Sequence, residues 1–222
     1  MSSYKEKYVP EPTPLRAEFT VRPDVLRVYV TVSLETEEPD KALPSLQRTC
    51  EQFQRRVREA TGADLTLLPR GARFTRNTVR KLALPEDDGT FVAVESLLEV
   101  PLPAELDFWA RGARLGALSR LCHETERDSH ATKKLPRFNF STIEARVLQP
   151  EAHRAELLRR FVLRARELAD AAGSPTAPLH VVDCAPPGPV EQTPISLEEV
   201  GLSLSIHCRL DVVRAPGTSL PG

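Results

Sequence analysis

Two strictly alternating runs constrain this chain more than anything else in it. Leu26, Val28, Val30, Val32 and Leu34 take every second position against Arg27, Tyr29, Thr31 and Ser33. Near the other end Leu202, Leu204, Ile206, Cys208, Leu210 and Val212 alternate without error against Ser203, Ser205, His207, Arg209 and Asp211. Successive side chains on a strand point to opposite faces, so each run calls for one buried face and one wet face. Strands of that kind belong to antiparallel sheets covered on one side. The strands of a doubly wound parallel sheet are buried on both faces and read as near-continuous apolar runs.

Between the two runs the period changes. After Pro39 and Asp40, the residues Leu43, Leu46, Cys50, Phe53, Val57 and Ala60 fall three or four apart, the spacing of one helical face; Pro44 lies in the first turn and Gly62 suits a left-handed cap. A second helix is expected over about 105–124, with Phe108, Leu115, Leu118 and Cys122 near one face and Gly112 and Gly116 as weak points. The clearest helix spans 151–172. Its stripe is Ala155, Leu158, Val162, Ala165, Ala169 and Ala172, with Leu157, Phe161 and Leu168 beside it, and Gly173 and Pro175 end it.

The remaining strands are shorter or less regular. Leu15, Ala17, Phe19 and Val21 alternate ahead of a turn at Pro23 and Asp24, and Val92, Val94, Leu98 and Val100 form a strand stopped by Pro101 and Pro103. The segment 65–74, interrupted by Pro69 and Gly71, reads as an edge strand or a bulge. Asp88 and Gly89 give a hairpin signal, 127–136 a polar loop, 138–148 an imperfect strand, and 179–182 a short strand before the Pro-rich loop 185–194. The expectation is an α+β fold: a largely antiparallel sheet with about three helices packed mainly on one face, forming one domain over 15–213. The Pro-rich tail 1–14 and the C-terminal tail 214–222 are expected to be mobile.

Charge and cysteine usage narrow the function classes. The 222 residues suffice for a substantial core, and 30 Lys+Arg against 31 Asp+Glu leave a net charge of -1, so no global field recruits nucleic acid or anionic lipid. The start is polar and charged, and no apolar run reaches the roughly 18 residues of a membrane span, which leads to the expectation of a cytoplasmic chain. Cys50, Cys122, Cys184 and Cys208 form no CxxC pair, and reduced thiols are expected in such a compartment. Phosphate-loop, dinucleotide-turn, HExxH and GxSxG patterns are absent, and no cofactor is implied.

Two constellations carry candidate chemistry. The segment 122–130 concentrates the thiol of Cys122 with His123, Glu124, Glu126, Asp128 and His130. A metal- or thiol-dependent enzyme would use His123, His130, Glu126 and Asp128 as ligands. On a continuous helix, however, the two histidines stand about 10 Å apart along the axis, so a shared ion needs a fold-back at Asp128 and Ser129. The second constellation is the basic surface Arg154, Arg159, Arg160, Arg164 and Arg166, which could hold an anion or nucleic acid. The acids Glu151, Glu156, Glu167 and Asp170 among them, and the lack of interleaved aromatics, favour a solvated face. His207 and Cys208 are neighbours on a strand and point to opposite faces.

Several local patterns resemble the SIMPL domain family, also called the domain of unknown function 541. They are the step Val21, Arg22, Pro23, Asp24 followed by the alternating strand to Thr36, and the core Arg164, Ala165, Arg166, Glu167, Leu168, Ala169 ending at Gly173. A short strand, a Pro-containing loop and a final alternating strand follow, so the resemblance spans roughly 17–213. Ser174, Pro175 and Thr176 depart from the Leu-Gly step common after that glycine in the family. The resemblance implies a non-enzymatic protein that forms a homo-oligomer or binds a protein partner. It transfers no catalytic residue.

Overall fold

The computed structural model of the chain describes residues 13–76, 89–131, 135–173 and 179–212. Tails 1–12 and 213–222, the polar stretch that includes Asp88, and Pro175 lie outside the described residues. The elements run β1 (Thr13–Val21), β2 (Val25–Thr36), α1 (Pro39–Thr61), β3 (Thr66–Arg76), β4 (Thr90–Pro101), α2 (Phe108–His130), β5 (Arg137–Phe140), β6 (Glu144–Arg146), a 3-10 turn (Pro150–His153), α3 (Arg154–Ala172), β7 (Leu179–Cys184), β8 (Glu191–Pro194) and β9 (Val200–Val212). The α+β class and its three helices are as the sequence leads one to expect. The strands, though, divide into two antiparallel sheets instead of gathering in one. By its contacts the chain forms two compact units, one of Met1–Val21, Gln149–Thr193 and Gly201–Gly222, the other of Arg22–Leu148 and Pro194–Val200.

In the second unit the strand order is β3-β4-β2-β5, with β6 also on β2. β2 and β4 pair over their whole length, Val25 opposite Pro101 through Thr36 opposite Thr90. The even-numbered residues Leu26, Val28, Val30 and Val32 share one face with Val92, Leu98 and Val100, and that face is buried under α1 and α2. Ala42, Leu46, Phe53 and Val57 are the buried side of α1. The Phe53 ring lies 5.2 Å from both Phe138 and Phe140 of β5. Gly62 closes α1 at φ 62°, and its N–H bonds to the Arg58 carbonyl at 2.9 Å, a left-handed cap that a Cβ would strain. β3 is the edge expected from Pro69 and Gly71, with its register shifting between them.

Several boundaries differ from those expected from the sequence. α2 continues through Arg127 to His130 where a loop is expected, because Thr125 and Ser129 are buried and find partners: Ser129 Oγ accepts from the Phe138 N–H at 3.0 Å and Arg56 reaches Thr125. The strand expected over 138–148 breaks into β5 and β6. β1 includes Thr13 and Pro14, which the sequence reading places in the tail.

In the first unit, β9 lies between β1 and β7, β8 also pairs with β9, and α3 packs on β1 and β7. The buried side of α3 is Leu157, Phe161, Ala165 and Ala169, while Ala155 and Val162 are exposed. The stripe is thus rotated about the axis from the expected one, because a strict i+4 series places two large side chains, Leu157 and Phe161, inward. Residues 150–153 form the 3-10 turn rather than the first turn of α3.

Gly116 lies inside α2, exposed, and a Cβ there would meet nothing within 4 Å. Alanine removes backbone freedom from the unfolded chain at no steric cost. Gly116→Ala is expected to raise stability by about 1 kcal/mol, read as a higher urea midpoint with an unchanged slope.

Candidate functional site

The residues singled out from the sequence at 122–130 do not converge. His123 is exposed in mid-helix, and His130 ends α2 seven positions later, its Nε2 3.3 Å from the Phe138 carbonyl. Arg127 and Asp128 pair with each other. Glu126 is half-buried, and its carbonyl accepts from Ser129 Oγ. No group of three or more metal-ligating side chains occurs among the described residues. Burial pushes the Cys122 thiol up to about 12, with Glu126 adding to the shift, and pushes Cys50 up to about 11, with Glu51 adding. Both thiols are therefore neutral at pH 7, when only the thiolate is a nucleophile.

The arginines of α3 are largely engaged within their own unit. Arg154 pairs with Glu151 and donates to the Gly188 carbonyl at 3.0 Å. Arg159 and Arg160 both pair with Glu156, whose carboxyl is held below its ordinary range first by the Arg160 hydrogen bond. Arg160 also lies over the Phe19 ring, 4.7 Å from its centroid, and Arg164 donates to the Arg16 carbonyl. Arg166 is exposed.

The polar centre of the second unit is one the sequence does not mark. Arg111, in the first turn of α2, is 1% exposed. Its Nη2 donates to the carbonyls of Pro23 at 3.0 Å and Leu102 at 3.3 Å, and its Nη1 to that of Leu197 at 3.3 Å. Its Nε faces Glu198 Oε1 at 3.6 Å, too far for a hydrogen bond, and both atoms are buried without one. Arg22 supports the same node, bonding Glu198 at 2.6 Å and the carbonyls of Ala104 and Leu106 at 2.8 Å each. Asp24 completes it by accepting from the Leu148 N–H at 2.8 Å. Nearby in sequence, Leu26, Leu115, Ile143, Ala145, Ile195 and Leu197, with Thr142, Glu144 and Ser196, line a cleft of ≈ 380 Å³.

The odd-numbered face of the second-unit sheet carries exposed apolar side chains. Tyr29, Leu97 and Leu68 lie side by side in register across β2, β4 and β3. Leu97 is 1% exposed between flanking side chains that remain open, Tyr29 at 56% and Leu68 at 39%. One register step to either side of this row, Arg27 pairs with Glu99 at 3.0 Å and Glu95 pairs with Arg73. The ion pairs neutralise their own charges, so the exposed apolar row stands in a face of low net field. Thr31 and Ser33 extend the face to Asn139 and Arg137 of β5.

No protein-family model matches the chain, and comparison with curated proteins gives no match. No helix among the described residues is long and apolar enough to cross a membrane.

Two outcomes test the Arg111 node. Arg111→Leu removes the cation, strands three carbonyls and leaves Glu198 with Arg22 alone, so it is expected to cost about 3 kcal/mol or more in chemical denaturation. The Arg22 hydrogen bond, joined by the field of Arg111, holds Glu198 below the usual carboxylate range. A depressed folded-state pKa gives stability that is present above the unfolded value and lost as pH falls through the folded one. Stability should accordingly decline as pH drops below the ordinary glutamate range, and Glu198→Gln should flatten that decline in an acid titration followed by circular dichroism.

Proposed function

We propose that this chain is a non-catalytic, cytoplasmic module of the SIMPL type that associates with itself or a protein partner through the outer face of the β3-β4-β2-β5 sheet. The observation that carries this reading is the Tyr29-Leu97-Leu68 row, in which Tyr29 and Leu68 are exposed on either side of the buried Leu97 and cross-strand ion pairs bracket the three. An apolar row with satisfied charges on both flanks has the anatomy of an interface centre with its rim. Tyr29 supplies the rigid, amphipathic contact area that interface anchors favour.

The order of elements and the residues Val21, Arg22, Pro23 and Asp24 support the family resemblance. Three of these four residues meet at the Arg111 node, which gives the motif a physical task. The metal- or thiol-dependent enzyme and the nucleic-acid binder gain no support from where His123, His130 and the α3 arginines lie. Among the two modes of association, a second copy of the chain is the simpler occupant, because the face carries both members of each charge pair and so presents no net sign for a partner of opposite charge.

Size-exclusion chromatography with light scattering tests the reading. The wild-type chain is expected to run at a multiple of its monomer mass in a concentration-dependent way, and Tyr29→Arg combined with Leu68→Arg is expected to return it to monomer with unchanged circular dichroism. A wild-type chain that stays strictly monomeric at high concentration would overturn self-association.

A further inference from the structure

The sequence reading expects four reduced thiols, and the structure corrects it at two positions: Cys184 and Cys208 form a disulfide, while Cys50 and Cys122 are free. The bonded pair are register partners on the antiparallel strands β7 and β9. They stand where β7 leaves its sheet. The register shifts between Val182 and Cys184, and Asp183 between them holds φ 55°, a left-handed conformation unusual for a residue with a Cβ. Immediately beyond, the Ala185 N–H donates to the His207 carbonyl at 2.8 Å. Residues 185–189 are exposed. The segment is caught again where Arg154 donates to the Gly188 carbonyl and the Val190 N–H donates to Glu151 at 2.9 Å. Pro186, Pro187 and Pro189 have no N–H, so the segment cannot fasten itself to a sheet and depends on these two clamps.

We propose that Cys184–Cys208 is a reversible thiol–disulfide site whose opening by a dithiol reductant releases the β7 end of the proline segment. Cys184 is exposed and Cys208 is 4% exposed, which sets the direction of attack. One thiolate of the dithiol attacks Cys184 Sγ, the Cys184–Cys208 bond breaks, and Cys208 leaves as a thiolate that takes up a proton. The second thiolate of the reagent then attacks its own sulfur in the mixed disulfide. Cys184 leaves and is protonated in turn, and the reagent departs as a cyclic disulfide, two electrons having passed to the protein. Reoxidation by a small disulfide reverses each step.

Release follows from what remains. Without the cross-link, Asp183 keeps its left-handed conformation through the hydrogen bonds of an edge strand and the packing of α3 on β7, and such local strain persists only where the surroundings over-determine it. The Glu151 clamp is untouched, so the opening is confined to one end of the segment. Cys122 is buried and Cys50 half-buried, and burial holds both thiols neutral, so they do not join the exchange.

The experiment uses the full chain in native buffer, with maleimide labelling read by mass spectrometry and amide exchange read by NMR before and after dithiothreitol. The oxidised protein should take no label. After reduction Cys184 should label first and Cys208 more slowly, with Cys50 and Cys122 unlabelled, and oxidised glutathione should restore the starting state. Exchange of the Ala185 amide should rise by at least about tenfold while the α3 amides keep their protection. Cys184→Ser should reproduce the faster Ala185 exchange without reductant. A Cys184 that labels only in denaturant, a Cys184 already free under oxidising conditions, an unchanged Ala185 amide, or loss of α3 protection on reduction would each overturn the proposal, as would a Cys184→Ser chain that fails to fold.

Discussion

A buried guanidinium holds the second unit together. Removing an arginine from water is costly unless its charge and protons are met, and Arg111 offsets that cost with hydrogen bonds to three backbone carbonyls and the nearby Glu198 carboxylate, drawn from three separate stretches of chain. Burial pulls its pKa below the ordinary value, as desolvation must, yet an arginine stays charged at any physiological pH. The carbonyls it binds belong to Pro23 before β2, Leu102 after β4 and Leu197 ahead of β9. The positions where β2 begins and β4 ends are thereby fixed relative to the first turn of α2. Register in the β2-β4 pair and the placement of its apolar face under α1 and α2 follow from those entries.

Among the described residues of this unit, the two helices contribute to the core on one face of the sheet. The core is closed on the even-numbered side by Phe53, Phe138 and the α2 residues Leu118, Leu121 and Cys122. The odd-numbered side carries Tyr29 and Leu68 exposed on either side of the buried Leu97, between ion pairs, and burial in the core does not account for the aromatic and aliphatic character of those two. Polar residues would satisfy an exposed sheet face equally well. Their presence is the ground on which that face is proposed as an interface.

Much of this was legible in the residues. Alternation over Val28 to Leu34 identified β2 and its inward face, Gly62 marked the C-terminal end of α1 while Pro44, expected in the first turn, lies inside the helix that starts at Pro39, and Pro69 with Gly71 marked β3 as an edge with a bulge. Three things were not legible, each for a physical reason. Nothing local distinguishes Arg111 from the exposed arginines around it, because its partners are backbone carbonyls distant in sequence. The extension of α2 rests on Thr125 and Ser129, polar residues whose burial depends on neighbours in α1 and β5. The Cys184–Cys208 bond depends on the register of two strands, and a bulge at Asp183 breaks the simple count that would align them. Spacing reveals which face a residue occupies, but it does not show which distant group will stand opposite.

The wiring of Arg111 also imposes an order on biosynthesis. Its bond to Leu197 spans 86 residues, and Glu198 follows immediately. At roughly 5–20 residues per second, a nascent chain carries Arg111 for about 4–17 s before those partners leave the ribosome. During that interval the whole of α3 and β7 is made while the second unit still lacks its closing segment. A chain stalled or cleaved between the two positions would hold a desolvated cation with half its partners missing, a ready substrate for chaperones and proteases.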